Sequence, residues 1–123
     1  MPLLTDSNDD GIYDKRTIFA EDLPFVNGMP WKDGILVTNA PDIIYFADTD
    51  GDGKADVREV IMSGFAMTNP QLRVSHLRYG IDNWIYGAYF RARGSGGDEQ
   101  FAGRGEPLYF PDDPEDTRFD ISE

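Results

Sequence analysis

Three features of the sequence predict an all-β fold of short antiparallel strands. Two aspartate-rich loops stand a fixed distance apart, β-branched and aromatic runs are bounded by Gly, Pro and Asp, and no long apolar stripe repeats at the helical period. The first loop, "DSNDDGIYDKRT", sets Asp6, Asn8, Asp10, Gly11 and Asp14 at places 1, 3, 5, 6 and 9 of a twelve-residue frame. The strand "DKRTIFAEDL" leaves it. "WKDGILVTNAP" then puts an Asp-Gly turn before the strand residues Ile35, Leu36, Val37 and Thr38. "DIIYFA" follows Pro41, too short and too rich in β-branched and aromatic residues for a helix, and runs into the second loop, "DTDGDGKADVRE". That loop places Asp48, Asp50, Asp52, Gly53, Asp56 and Glu59 in the same frame, and "DVREVIMSGF" leaves it as a strand with Arg58 matching Arg16. The second loop joins two antiparallel strands on this reading, and a helical calcium-binding hand is rejected for want of flanking helices. "RYGIDNWIYGAY" repeats the turn-then-strand pattern. Gly80 lies 46 residues after Gly34, which places a short insertion between the loop and this strand pair. Trp31, Tyr79, Trp84 and Tyr86 are expected in the core. "RARGSGGDEQFAGRGEP" reads as a surface loop, and "LYFPDDPEDTRFDISE" as a strand, a Pro/Asp turn and the start of another strand.

Asp48 follows Asp6 by 42 residues. A period of about 40–45 residues is that of a four-stranded propeller blade. The expected architecture is therefore a partial β-propeller, two to three blades with calcium loops between strands, organised as one unit over residues 1–123 with repeats at 6–47 and 48–90. Propellers close with about 4–8 blades, and even four blades of this period need roughly 168 residues. The sequence is thus expected to be a segment of a longer protein, or an open unit whose edges are covered by association with further blades.

Composition narrows the function classes. With 23 acidic against 11 basic residues and a formal charge of −12, no nucleic-acid partner is expected, because phosphate binding runs on Lys and Arg. No apolar run approaches the roughly 20 residues of a membrane helix, and "MPLLTDSNDDGIYDK" lacks the basic start and apolar stretch of a signal peptide. The absence of cysteine excludes disulfides, thiolate metal sites and covalent haem attachment within this sequence. What remains distinctive is clustered acid, and clustered carboxylates repel one another unless a cation sits among them.

Calcium is a hard cation that takes six to eight oxygen ligands, and alternate carboxylates around a tight glycine turn supply them. In the second loop the candidate ligands are Asp48, Asp50, Asp52, the carbonyl of Lys54, Asp56 and Glu59. In the first they are Asp6, Asn8, Asp10 and Asp14, with Thr17 a poor substitute at the twelfth place, so weaker binding is expected there. With no helix pair to open, either ion would pin strands rather than signal. His76 is the sole histidine and a candidate general base, against the plainer reading of a packing or surface residue. Arg73 and Arg78, with Arg91, Arg93 and Arg104, are candidate contacts for an anionic cofactor, against pairing with the chain's own acids. "GSGGDEQFAGRG" holds no phosphate-binding signature.

The segments "DSNDDGIYDKRTIFAEDLPF", "WKDGILVTNAPDIIYFADTDGDGKADVREVIMSGF" and "QLRVSHLRYGIDNWIYGAY" together resemble the large propeller proteins of the membrane-bound dehydrogenase type. Those proteins are similar to the soluble glucose and sorbosone dehydrogenases that use pyrroloquinoline quinone (PQQ). The resemblance implies a six-bladed propeller, secreted or periplasmic, with Ca2+ between strands and PQQ over the central channel. It also implies a sugar or polyol substrate, with a histidine taking the hydroxyl proton as hydride passes to the quinone. By that pattern the catalytic histidine would fall near Gln71 or Leu72, so the role does not carry over to His76. The haem motif of longer members is absent from this sequence. The expectation is a calcium-binding segment of a quinone-dependent, dehydrogenase-like propeller, inactive alone; the alternative is a non-enzymatic calcium-binding propeller module for carbohydrate or protein partners.

Overall fold

The computed structural model describes residues 1–24, 26–65, 67, 73–88 and 109–116. Over these residues the chain is all-β, in antiparallel sheets. The eight strands are β1 (Pro2–Thr5), β2 (Lys15–Ile18), β3 (Asn27–Trp31), β4 (Gly34–Asn39), β5 (Asp42–Ala47), β6 (Val57–Met62), β7 (Ser75–Tyr79) and β8 (Ile85–Ala88). They form a four-stranded meander, β3-β4-β5-β6, and two separate hairpins, β1-β2 and β7-β8. Among the described residues no helix is long and apolar enough to cross a membrane.

The meander is the centre of the molecule because its alternation is apolar on both faces. Along β5, Ile43, Tyr45 and Ala47 join one buried cluster with Met29, Leu36, Met62, Phe65, Val74 and Leu77. The intervening Ile44 and Phe46 join Val37 and Ala20 in a second cluster on the opposite face. Period-two side-chain geometry turns one apolar run into two cores only when both faces of the sheet are covered. On the first face the cover is β7, packed against β3 and β4. On the second it is the segment that leaves β2, through Phe19 and Ala20, with Met1.

Local chemistry closes each turn. A Cβ at Gly34 would overlap the carbonyl of Phe46 and stand 2.8 Å from the Tyr45 ring, so the chain can cross β5 there only as glycine. Pro30 sits on β3, an edge of the meander, where a missing amide donor is tolerated. At the other edge, the Ser63 amide donates to the Tyr109 carbonyl at 3.0 Å and the Tyr109 amide donates back at 3.1 Å. The Pro/Asp turn expected after Phe110 is present as a bridge from Phe110 to Asp113. The expected glycine-rich loop at 91–107 and the final strand start at 117–123 lie outside the described residues.

Two expectations require correction. Tyr79, Trp84 and Tyr86 are exposed, by 57%, 49% and 55%, and not in the core. Trp31, by contrast, is half-buried and meets the Tyr45 ring edge-on at 5.4 Å. The Gly34 and Gly80 equivalence also fails. Trp31 pairs with Gly34 across its turn, whereas Tyr79 pairs with Ile85, so Gly80 lies inside the longer second turn and the matching residue of β8 is Ile85.

Candidate metal centre

Each acidic loop is a hairpin connection, the first between β1 and β2 and the second between β5 and β6. A shift of 42 residues superimposes their strand registers. Leu3↔Thr17, Leu4↔Arg16 and Thr5↔Lys15 in one become Tyr45↔Glu59, Phe46↔Arg58 and Ala47↔Val57 in the other. The loops match in their hydrogen bonds as well. Gly11 donates to Asp6 Oδ2 at 2.7 Å, and Gly53 donates to Asp48 Oδ2 at 2.8 Å. Both glycines have φ of 84°, a left-handed conformation that any Cβ would strain. The fifth-place amides, of Asp10 and Asp52, donate to the third-place side chains, Asn8 at 3.3 Å and Asp50 at 3.1 Å.

In the second loop Asp48, Asp50 and Asp52 offer carboxylate oxygens that all lie within 4.8 Å of one another. The Gly53 amide holds the Asp48 carboxyl below its ordinary range, against partial desolvation, with the Gly51 amide adding to the effect. A carboxylate kept ionised beside two others is an oxygen cage of the kind a hard divalent cation fits. In the first loop the matching three positions differ at one residue. Where Asp50 stands in the second, Asn8 donates its amide to Asp10 Oδ2 at 3.1 Å, so a neutral donor satisfies one carboxylate from within. For Asp6 partial desolvation pushes the pKa upward, and the amides of Gly11, Asn8, Asp10 and Asp9 together outweigh it and lower it.

The ninth-place aspartates have another task. Asp14 accepts from the Ser7 hydroxyl at 2.6 Å and from its amide at 2.8 Å. Asp56 accepts from the Thr49 amide at 2.9 Å and from its hydroxyl. These bonds, hydroxyl first and amide second, lower both carboxyl pKa values. Each aspartate thus latches the end of its loop to the beginning. The hydroxyl residue directly after the first aspartate of both loops is the signal in the sequence for this latch. Glu59 sits on β6 opposite Tyr45, exposed, and the three-carboxylate group does not include it. Lys54 is exposed at the turn, its amide donating to Asp52 Oδ1 at 2.8 Å.

The second loop is seated on the first hairpin. The Ala55 amide donates to the Phe19 carbonyl at 2.8 Å, and the space beside Gly53 is bounded by Leu3 and Thr17 side chains at 3.5 Å. An ion held by Asp48, Asp50 and Asp52 would therefore rigidify the junction between the meander and the β1-β2 hairpin.

The candidate catalytic and cofactor residues are not brought together. His76 is exposed on β7, with Nδ1 2.8 Å from the Ser75 hydroxyl. Arg78 is exposed on the same strand. Arg73 donates through Nε and Nη2 to the Met67 carbonyl at 3.0 and 2.7 Å. Arg91, Arg93 and Arg104, like Gln71 and Leu72, lie outside the described residues. Sequence reasoning missed the tie between Asp33 in the β3-β4 turn and the Tyr45 hydroxyl. That bond, with desolvation adding to it, pushes the Tyr45 pKa up to about 12.

Residues 1–108 match the family described as Domain of unknown function (DUF7133), and the chain belongs to that family. No curated protein and no solved structure matched the chain.

Proposed function

We propose that this member of the DUF7133 family is a calcium-stabilised segment of a β-propeller, in which the acidic loops fix one sheet against the next. The observation that carries the reading is the Asp48, Asp50, Asp52 cluster on a loop that joins β5 to β6 and is hydrogen-bonded to the segment leaving the first hairpin. The blade architecture is supported by the four-stranded meander, covered on one face by β7 and on the other by the segment that leaves β2, and by the 42-residue shift that superimposes two hairpins. Blades of a propeller are four-stranded sheets of about this period packed face to face.

On this reading the three carboxylates of the second loop hold the ion, with the Lys54 carbonyl at the seventh place as a further oxygen. The first loop, with Asp6, Asn8 and Asp10, binds more weakly because Asn8 brings one charge fewer. The chain acts as a scaffold that presents its outer loops to a partner. The dehydrogenase reading suggested by the sequence resemblance rests on less: His76 faces a serine hydroxyl, and Arg73 is engaged with a backbone carbonyl.

Calorimetric titration of the purified chain with calcium tests the proposal. Heat of binding that disappears in Asp50→Asn/Asp52→Asn supports it, and absence of binding in a folded sample refutes it. Addition of PQQ with calcium separates the two readings: a spectral change with sugar-dependent dye reduction would reinstate the enzyme, and an unchanged spectrum leaves the scaffold.

A further inference from the structure

Asn27-Gly28 is the sole Asn-Gly step in the sequence, and it stands at the start of β3. The Asn27 amide donates to the Thr38 hydroxyl at 3.2 Å, and that hydroxyl donates to the Asn27 carbonyl at 3.2 Å. Both backbone groups of Asn27 therefore face β4. Antiparallel pairing alternates along a strand, so the Gly28 amide is turned away from β4, as is the backbone nitrogen of Pro30 two residues on. No described strand pairs with that side of β3. Among the described residues the Asn27 side chain is exposed, and its carboxamide has no hydrogen-bond partner.

The structure assigns Asn27-Gly28 as a site of self-modification, at which the asparagine converts to aspartate and isoaspartate with water as the only co-reactant. The Gly28 nitrogen gives up its proton and attacks Asn27 Cγ. The new bond closes a five-membered succinimide, and the Cγ–Nδ2 bond breaks as the amine takes up the proton and leaves as ammonia. Water then opens the ring. Cleavage of the bond from nitrogen to Cγ gives aspartate, and cleavage of the bond from nitrogen to the Asn27 backbone carbonyl carbon gives isoaspartate. Glycine favours closure because no Cβ crowds the attacking nitrogen. Closure also requires the Asn27 backbone to leave the extended conformation, which releases only the first rung of β3 with its two bonds to Thr38. The Asp-Gly steps of the acidic loops are poorer sites. Their carboxylates have no amine to lose, and the amides of Gly11, Gly51 and Gly53 are committed to Asp6 and Asp48. Isoaspartate routes the chain through the side-chain carbons, which displaces Val26 from its packing against Ala20, Val37, Ile44 and Phe46. Conversion thus loosens the cover of the second core and adds one negative charge.

The test incubates the folded wild-type chain at mildly alkaline pH, samples it over time and weighs its tryptic peptides against a zero-time sample. The peptide from Thr17 to Lys32 holds no other asparagine. The expected result is a growing mass gain in this peptide, equal to the exchange of NH2 for OH and split between two chromatographic forms. It should run severalfold faster than in the peptides that hold Asn8, Asn39 or Asn83. Gly28→Ala should slow the gain severalfold without unfolding the chain, because the added methyl meets the Leu36 carbonyl at 3.5 Å and the Val37 side chain at 3.7 Å, both ordinary contacts. Thr38→Val, which loses the hydroxyl that makes both bonds to Asn27, should speed it. Absence of a gain in the folded chain, while the chain in denaturant converts, overturns the inference and makes the strand a protection. A gain that Gly28→Ala leaves unchanged overturns it as well. None of these outcomes depends on calcium, so this inference and the functional reading stand or fall separately.

Discussion

The β1-β2 and β5-β6 hairpins share one register and one loop geometry, yet they live in different environments. Leu4 and Phe46 occupy equivalent positions, and Leu4 is 53% exposed while Phe46 is 2% exposed. The loop bonds are nevertheless the same, from the first-place aspartate to the sixth-place glycine and from the ninth-place aspartate to the hydroxyl residue. Loop conformation is therefore set by nearby residues through side-chain to backbone bonds, whereas burial is set by what the fold lays over each hairpin. The hairpins differ also in charge, because Asn8 supplies its loop with a neutral donor to Asp10 where the second loop has the carboxylate of Asp50.

The largest effect that would sharpen this comparison is at the equivalent apolar pair. Phe46→Ala is expected to cost about 3–5 kcal/mol, as for a fully buried aromatic in a two-sided core, and Leu4→Ala within about 0.5 kcal/mol. Denaturant unfolding of the two variants measures both, and equal losses would break the distinction. Next in size is Gly34→Ala, where the added methyl meets the Phe46 carbonyl and the Tyr45 ring. An overpacking cost of about 1–3 kcal/mol is expected in the same assay. Gly53→Ala and Gly11→Ala strain a left-handed turn without a hard clash, so each is expected to cost about 1–2 kcal/mol, felt globally only for Gly53. Hydrogen exchange should localise the Gly11 effect to its own hairpin.

The smallest effect is on pH dependence. The carboxyls of Asp6, Asp14, Asp48 and Asp56 are lowered in the folded state, so their contribution is present above the ordinary carboxylate pKa of 3.8 and is lost as pH falls through the lower folded values. Stability in chelator should decline on acidification below that point, and Ser7→Ala with Thr49→Ala should flatten the decline. Tyr45 works in the opposite sense. Its folded pKa is raised from 10.0 to about 12, so the contribution of its bond to Asp33 is complete below 10.0 and lost as pH rises through about 12. Asp33→Asn should reduce that alkaline loss, as read by Tyr absorbance.

The strands around the second loop were legible because "GILVTN" and "DIIYFA" are short, β-branched and bounded by turn residues, and the loops because their glycines and aspartates keep one spacing. The strands "PLLT" and "NGMPW" were not, since each carries proline or glycine and little alternation, and only pairing with β2 and β4 defines them. The exposure of Trp84 and Tyr86 was also hidden, because whether an aromatic on a strand is core depends on the sheet laid over it. Within the site, spacing found Asp48, Asp50 and Asp52. It assigned Asp56 to the ion as well and did not show the latch that the Thr49 hydroxyl and amide make with that carboxylate.

The central claim is that calcium ties the meander to the first hairpin through the 48–59 loop. Thermal unfolding of the wild-type chain and of Asp50→Asn/Asp52→Asn, each in excess calcium and in chelator, tests it most directly. A bound ion stabilises the native state by about 2.7 kcal/mol at a hundredfold excess over its dissociation constant. The account predicts a higher wild-type midpoint in calcium, most of that shift lost in the variant, and nearly equal midpoints for the two proteins in chelator. An unchanged wild-type midpoint, or a variant equally destabilised with and without calcium, would contradict it and leave the cluster as an acidic turn.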